Sequence, residues 1–248
     1  MQIDFDVAHG VHCLSHAHVN CYLVEDDDAL TLIDAGLPSM WPLLLDAVGR
    51  LGRQISDVRA LLLTHGHFDH LGFANRLRQS SGVPVLVHPG DAALVASPYS
   101  YRPQRNRFLY LLSHPGGWAP IAAMAAAGAL NVQGVEDTGP LQPDIQLDVP
   151  GSPVPVATPG HTAGHCGFIL PGRDVALCGD ALVTFDPYTG RSGPQIVATA
   201  ATGDAEQAMA SLDALADTGV RTLLTGHGDP WRTGAATAVE IARHTGIH

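Results

Sequence analysis

Three histidines and one aspartate crowd a short stretch of the chain directly after a run of leucines. The stretch reads LLLTHGHFDHLG over residues 61–72, and the four side chains are His65, His67, Asp69 and His70. In extended backbone, side chains two residues apart point the same way, so His65, His67 and Asp69 can converge while His70 faces a second position. Imidazole nitrogens and carboxylate oxygens without a thiolate suit zinc, manganese or iron. A solvated histidine-rich loop is the alternative interpretation.

Three further polar residues each follow an apolar run that we interpret as a strand. His161 lies in TPGHTAGH, Asp180 in LCGDAL and His227 in LLTGHGDP. A polar group buried beside a strand costs a few kcal/mol unless it finds a partner. One metal site shared with the earlier cluster would satisfy all three groups. His165, which follows His161 in the same motif, can support a ligand by hydrogen bonding.

The elements that must position these residues are predicted from hydrophobic patterning. Short runs rich in Val, Ile and Leu, bounded by Gly, Pro or Asp, predict strands over 20–24, 29–36, 60–65, 83–88, 154–161, 166–170, 174–180 and 221–227. Apolar residues at helical spacing predict helices over 40–52, 71–82 and 203–219. Strands and helices alternate at both ends of the chain, which predicts an α/β (α+β) fold with layers of helix covering buried sheet.

The middle of the chain, about residues 90–140, is rich in Pro, Gly, Ala and aromatic residues. We interpret it as a mostly helical insertion over the core and not as a separate domain, so residues 1–248 are expected to form a single domain. The Tyr and Arg side chains of residues 99–110 can line a substrate pocket. A helix packed on the core explains them equally well.

The composition excludes several classes of partner. The formal net charge is −11, and the 13 Lys and Arg residues form no dense cluster. Nucleic acids and anionic membrane surfaces both require a basic face, so we expect neither as a partner. The N-terminus has no basic start and no apolar run, and the four cysteines form no CxxC pair. We therefore expect a cytoplasmic protein with reduced, buried thiols.

The segments THGHFDH, TPGHTAGH, CGDAL and TGHGDP, in this order and spacing, resemble the metallo-β-lactamase superfamily in its glyoxalase II-like and lactonase-like branch. The resemblance covers nearly the whole chain except the insertion. It implies a four-layer αββα sandwich with the metal site at one edge, between the two sheets.

The resemblance also implies roles for seven side chains. Six of them would bind two metal ions, three to each ion, and the seventh would bridge the two ions. The first ion would be bound by His65, His67 and His161, the second by Asp69, His70 and His227, and Asp180 would bridge both. Asp69 and Asp180 would be the catalytic carboxylates. Asp34, in LIDAG, matches a family aspartate that supports the ligands, although a simple turn before Gly36 explains it as well. Both ions are expected to be divalent, zinc first, with manganese or iron as alternatives.

Such a site predicts a dinuclear hydrolase that acts on a small carbonyl substrate, an ester, lactone or thioester. Two divalent ions about 3.5–4 Å apart can share one water and deprotonate it, and the bridging hydroxide would then attack the carbonyl. The alternative is a persulfide dioxygenase-like enzyme with one iron on the equivalents of His65, His161 and Asp180. The expected partner is a small-molecule substrate. A homodimer through the insertion or the N-terminal strand is compatible with the sequence.

The sequence departs from the better-known activities of this family. Glyoxalase II has a C-terminal domain that binds glutathione with basic residues, whereas a short segment with few basic residues follows His227. Acyl-homoserine lactonases have a tyrosine three positions after the bridging aspartate, where this chain has Val183. Tyr188 or a tyrosine of the insertion can supply the missing proton donor. True β-lactamases of the superfamily lack an equivalent of Asp180.

Overall fold

The computed structural model describes residues 1–248. The strands are β1 (Gln2–Ala8), β2 (Val11–His16), β3 (Val19–Asp26), β4 (Ala29–Ile33), β5 (Val58–Leu62), β6 (Val85–Val87), β7 (Gly139–Pro140), β8 (Val154–Ala157), β9 (Cys166–Leu170), β10 (Val175–Gly179), β11 (Val183–Asp186), β12 (Arg191–Gln195) and β13 (Thr222–Thr225). The helices are α1 (Trp41–Arg50), α2 (Phe68–Leu71), α3 (Ala74–Ser81), α4 (Ala92–Ala96), α5 (Arg107–Ser113), α6 (Trp118–Met124), α7 (Ala205–Ala216) and α8 (Ala235–Thr245).

The strands form two main sheets and one hairpin. The first sheet has seven strands in sequence order from β1 to β7. Its strands are antiparallel from β1 to β4 and parallel from β4 to β7. The second sheet has the order β13-β10-β9-β8, in which β13 is parallel to β10 and the other pairs are antiparallel. The hairpin consists of β11 and β12.

Alternating side chains along the strands divide the core into layers. In β5, Ala60 and Leu62 belong to a cluster between the two sheets, whereas Leu61 packs with the side chains of α1 and α3. In the second sheet, Leu177 of β10 joins the cluster between the sheets, and Cys178 packs toward α7 and α8. Successive residues of a strand point to opposite faces, and here both faces carry buried apolar side chains, so both faces of each sheet are covered. The result is the four-layer αββα sandwich, which confirms the predicted fold class.

The helix ends follow local sequence signals. The Asp204 side chain caps α7 by accepting a hydrogen bond from the Gln207 backbone N–H at 2.9 Å. Gly82 ends α3 in the left-handed conformation, with φ of 70°. Both signals are present in the sequence, and the three predicted helices are confirmed. The sequence prediction omitted α8, although Ala235, Ala238 and Val239 mark its buried face.

The segment at about 90–140 contains α4, α5, α6 and a π-helical turn (Ala125–Ala129), which agrees with the predicted mostly helical insertion. Several of its large apolar side chains are exposed. They are Tyr99, Phe108, Leu109, Leu112, Trp118 and Leu130. None of the helices combines the length and the hydropathy that crossing a lipid bilayer requires. All four cysteines are free and buried, as predicted.

Cross-sheet hydrogen bonds join the two sheets at one edge. Asn20 Nδ2 in β3 donates to the carbonyl oxygens of Thr225 at 3.0 Å and Gly228 at 2.8 Å. Tyr22 Oη donates to the same Thr225 carbonyl at 2.7 Å. At the same edge, the Cys166 backbone N–H donates to the Thr64 carbonyl at 2.9 Å. The Gly226 backbone N–H also donates to the Gly179 carbonyl at 2.8 Å, so the ends of β5, β10 and β13 all take part in the hydrogen bonds at this edge.

Candidate metal centre

The histidine-rich segment leaves β5 and turns into α2. His65 and His67 lie in the connecting loop, whereas Asp69 and His70 lie in the helix, which begins at Phe68. All four side chains are buried, so the solvated-loop interpretation is wrong. The alternation of extended backbone holds for His65 and His67. It does not extend to Asp69, because the chain becomes helical one residue earlier.

His161, Asp180 and His227 reach the same place from the second sheet. His161 lies in the loop after β8, Asp180 directly follows β10, and His227 follows β13. Because β10 and β13 are parallel, their carboxyl ends meet at one edge of the sheet. All three side chains are buried. The structure brings together all seven side chains that the sequence singled out.

Three groups of donor atoms lie close enough to hold an ion, with the atoms of each group within 4.8 Å of one another. The groups are His65, His67 and His161; His65, His70 and Asp180; and Asp69, His70 and His227. The Asp180 side chain lies between the first of these groups of donor atoms and the last. Its Oδ1 is 3.4 Å from His70 Nε2, and its Oδ2 is 3.4 Å from His161 Nε2 and 3.2 Å from His227 Nε2. The Asp180 carboxylate is thus close to histidines of all three groups.

The buried carboxylate of Asp34 orients one side of the cluster. Its Oδ1 accepts a hydrogen bond from the Thr64 backbone N–H, and its Oδ2 accepts from Thr64 Oγ1 and from His70 Nδ1, each at 2.8 Å. A carboxylate is only an acceptor, so His70 Nδ1 carries a hydrogen and Nε2 faces the site. Thr64 Oγ1 gives its hydrogen to Asp34 and accepts from His65 Nδ1 at 3.0 Å. Asp34 therefore supports two histidines, which a simple turn residue would not do.

Other acceptors orient His227 and His161 in the same way. His227 Nδ1 donates to the His18 carbonyl oxygen at 2.6 Å. His161 Nδ1 donates to Thr202 Oγ1 at 3.1 Å, because that hydroxyl gives its own hydrogen to the Val197 carbonyl oxygen at 2.8 Å. In each ring Nε2 is the atom that faces the cluster. Such outer hydrogen bonds fix the orientation of a metal-binding imidazole.

Several buried donor atoms of the cluster have no hydrogen-bond partner. These atoms are Nε2 of His65, His67, His70 and His161 and Oδ1 of Asp180. The 3.4 Å approach of His70 Nε2 to Asp180 Oδ1 lacks hydrogen-bond geometry. An unsatisfied buried polar atom costs about 1–3 kcal/mol, and native proteins contain few of them. Cations would satisfy all of these atoms at once, so the residues fit a metal centre.

The cluster shifts the pKa values of its members in opposite directions. Burial, followed by the neighbouring imidazoles, holds the pKa of His65 and of His67 well below the usual 6.5, so both rings are neutral. Burial disfavours the charged form of His227 too, but the carboxylate of Asp180 and its neighbours outweigh burial and raise the pKa of His227 to about 10. Burial alone would raise the pKa of Asp180, yet His227 and other histidines hold it well below 3.8. The carboxylates of the site thus strongly favour positive charge beside them.

Asp91 ties two of the ligand-bearing loops together, and the sequence analysis missed it. Its buried carboxylate accepts hydrogen bonds from the Gly66 N–H at 2.8 Å, from Thr162 Oγ1 at 2.7 Å and from the Gly164 N–H at 2.7 Å. Gly66 belongs to the first histidine loop, and Thr162 and Gly164 belong to the loop that carries His161. The sequence around Asp91 shows only an acidic residue in a Pro-Gly turn. It does not indicate which distant loops this carboxylate contacts.

His165 supports a ligand, as the sequence suggested, and does not belong to the three donor groups. Its Nε2 accepts a hydrogen bond from the Asp180 backbone N–H at 3.0 Å, and its Nδ1 donates to Thr158 Oγ1 at 2.8 Å. Burial and the nearby His161 lower the pKa of His165 to about 3. The ring therefore stays neutral and keeps its acceptor for the Asp180 backbone.

A small cavity of about 20 Å³ opens onto the cluster, which is about the space that one water occupies. Tyr101 and Tyr188 line this cavity together with members of the cluster. The Tyr101 ring packs on the His67 ring with 4.1 Å between the ring centroids. Tyr101 comes from the insertion, and Tyr188 comes from the turn between β11 and β12. Both tyrosine side chains thus line the cavity that opens onto the cluster.

Comparisons with known proteins agree with this geometry. The metallo-β-lactamase superfamily model matches residues 15–227. The chain is 29% identical over 239 residues to the probable metallo-hydrolase YflN of Bacillus subtilis, an alignment that covers 91% of this chain and 86% of YflN. It is 31% identical over 165 residues to the hydroxyacylglutathione hydrolase GloC of Haemophilus influenzae, covering 66% of each.

Solved structures give the same answer for the fold. The metallo-β-lactamase family protein TTHA1429 of Thermus thermophilus superposes with a TM-score of 0.69 at 25% identity, covering 96% of this chain and 79% of that one. TTHA1623, solved in a di-iron-bound form, superposes with a TM-score of 0.62 at 26% identity, covering 89% of this chain and 93% of that one.

Proposed function

This chain belongs to the metallo-β-lactamase superfamily, and from that premise we propose that it is a dinuclear metal-dependent hydrolase of a small ester, lactone or thioester. The matches to a probable metallo-hydrolase and to a hydroxyacylglutathione hydrolase support hydrolysis as the reaction class. The observation that carries the proposal is the set of buried, unpartnered Nε2 atoms that face one another beside Asp180.

We assign the donor groups to two cation positions. His65, His67 and His161 would hold the first cation, and Asp69, His70 and His227 would hold the second, with Asp180 shared between them. The three groups of donor atoms support this division, because two of them correspond to the two positions. Zinc suits the imidazole and carboxylate donors, and the di-iron form of TTHA1623 makes iron a second metal to test.

Two bound divalent cations would lower the pKa of a coordinated water to about 7 and withdraw charge from a substrate carbonyl oxygen. The protein contributes only two carboxylates among the seven donors, so the loaded centre keeps a net positive charge. That charge favours a carbonyl oxygen that becomes negative during hydrolysis. The burial of the centre strengthens this attraction, because little water screens it.

The residues around the cavity would handle the proton and the orientation of the substrate. Tyr188 does not occupy the position of the lactonase tyrosine, which is Val183 in this chain, but its phenol lines the same cavity as Asp180 and His227. Its Oη can donate a hydrogen bond to the leaving atom of the substrate. Tyr101, whose ring packs on His67, can limit the position of the carbonyl and exclude water from it.

The test is elemental analysis together with activity. Protein stripped with a chelator and reloaded with zinc, manganese or iron is assayed on a panel of simple esters, lactones and thioesters. We expect about two metal ions per chain and recovery of activity on reloading. Asp180→Asn should lower the metal content toward one ion and the activity by at least about 100-fold, because the shared ligand is lost.

Asp213→Asn is the matched control, since Asp213 is an exposed carboxylate of α7 paired with Arg243 and remote from the cluster. It should leave metal content and activity unchanged. Metal-reloaded protein that stays inactive on the whole panel would refute the hydrolase proposal. One iron per chain, with sulfur-dependent oxygen uptake, would replace it with the persulfide dioxygenase-like activity.

A further inference from the structure

A second cavity adjoins the metal centre on the side of the insertion. Its volume is about 170 Å³, far larger than the small cavity over the ligands. Phe68, Met124 and Tyr188 line both cavities, so the second cavity lies directly beside the small one that opens onto the cluster. A substrate that places its carbonyl at the metal centre can therefore extend into the second cavity.

The lining of this second cavity is almost wholly apolar. It is built mainly from α5, α6 and the π-helical turn, with Leu111, Ile121 and Leu130 among the contributing side chains. Arg107 is the only charged side chain in the lining, and its guanidinium lies 4.6 Å from the Tyr101 ring centroid. A cavity with so few hydrogen-bonding groups holds ordered water poorly and favours a hydrocarbon group.

We propose that this cavity binds an apolar group of the substrate, of about six carbon atoms, while the scissile carbonyl lies at the metal centre. The size follows from volume, since an apolar protein cavity of about 150 Å³ binds benzene. The inference rests on the proposed hydrolase function and narrows its substrate class to esters or thioesters with a medium-length hydrocarbon chain. The hydrocarbon chain can belong to the acyl side of the substrate or to its leaving group, and the assay below distinguishes these two positions.

Two series of substrates test the inference on the zinc-loaded protein. One series lengthens the acyl side from methyl acetate to methyl octanoate, and the other lengthens the alcohol from methyl acetate to octyl acetate. Burying one methylene contributes about 0.8 kcal/mol, or up to about fourfold in kcat/KM. We expect a gain of about two- to fourfold per methylene in one series, with a plateau near six carbons. No gain in either series would overturn the inference.

A filled cavity should remove the preference for longer chains. Ala125 lines the cavity, and the neighbouring Ala126 is exposed and does not. For Ala125→Leu we expect the ratio of kcat/KM for the six-carbon substrate to that for the two-carbon substrate to fall to about 1–2. Ala126→Leu adds the same side chain to the same turn and should keep the wild-type ratio. Because each ratio is measured within one variant, partial loss of folded protein does not affect it.

Binding measurements separate this inference from the proposed function. Isothermal titration calorimetry compares hexanoate with acetate on the same zinc-loaded proteins. We expect hexanoate to bind at least about 10-fold more tightly than acetate to the wild type and to Ala126→Leu, and to lose that advantage in Ala125→Leu. If hexanoate keeps its advantage but no substrate is hydrolysed, the cavity stands and the hydrolase proposal fails. If esters are hydrolysed without any chain preference and hexanoate has no advantage, the cavity assignment fails alone.

Discussion

Replacing Asp91 by asparagine should weaken the fold and the metal centre together. The carboxylate accepts three hydrogen bonds, from Gly66, Thr162 and Gly164, at 2.7–2.8 Å. An amide of the same shape keeps one acceptor oxygen and replaces the other with a donor NH₂ group. The Thr162 hydroxyl can rotate away, but the two backbone N–H groups cannot. Whichever way the amide turns, its NH₂ group faces one of them.

The magnitude follows from this loss. A hydrogen bond to a charged group contributes about 1.5–3 kcal/mol, and a buried donor without a partner costs about 1–3 kcal/mol. We expect Asp91→Asn to lower the free energy of unfolding of the metal-free protein by about 2–4 kcal/mol. For a chain of this length, that corresponds to a decrease in Tm of about 5–15 °C.

The effect on the metal arises because Asp91 joins the loop of His65 and His67 to the loop of His161. Loss of a hydrogen bond to a metal-binding side chain lowers metal affinity by about 10–100-fold, and we expect the lower end of that range here, because Asp91 holds the loops and not the ligand side chains. The assay combines calorimetric unfolding of the metal-free protein with zinc titration against a chromophoric chelator. We expect both stability and zinc affinity to fall.

Asp186→Asn provides the matched control. Asp186 is fully buried and accepts hydrogen bonds from the Tyr188 N–H at 3.0 Å and from Thr189 Oγ1 at 2.8 Å, with no contact to a ligand loop. It should lose stability to a similar extent and keep the zinc affinity of the wild type. The reasoning fails if folded Asp91→Asn binds zinc as tightly as the wild type, or if both variants lose affinity equally.

Three further predictions concern the space at the site, the metal and the thiols. A methyl group added at Gly226 would overlap Asp180 Oδ1, so Gly226→Ala should abolish binding of at least one metal ion. Gly49→Ala, whose added methyl group would meet no side chain or other element within 4 Å, should bind metal normally by elemental analysis. Removal of the metal with a chelator should lower Tm measurably, because a ligand that binds only the native state stabilises that state. A Tm that does not change when the chelator is added would contradict a metal centre. Burial raises the pKa of Cys13 and of Cys166 from 9.0 to about 12. The reactive thiolate forms only as the pH rises toward the pKa. At pH 8 the thiolate fraction of these two cysteines is therefore about a thousandfold lower in the native protein than in the unfolded chain. Titration with a thiol reagent should therefore detect almost no reactive cysteine in native protein and all four in guanidinium chloride.

Sequence patterns predicted most of the fold because strand and helix periods are local. The eight predicted strands and three predicted helices are present, and their alternation predicted helices covering buried sheet, whereas the four αββα layers were implied by the family resemblance. The hairpin of β11 and β12 was not predicted, because RSGPQ in β12 carries Gly and Pro where a strand usually has β-branched residues. Its pairing with β11 supplies the hydrogen bonds that the local sequence does not suggest.

The sequence by itself determined the identity of the candidate ligands, because histidine and aspartate that follow apolar strands form a chemical pattern that can be recognised without a structure. Only the tertiary structure decided how these side chains group, which of their nitrogens face the site, and that Asp91 and His165 support them. It also decided that the insertion forms an apolar cavity beside the metal centre. These features depend on contacts between residues far apart in the chain, such as Asp91 with Gly164, and no local pattern encodes such contacts.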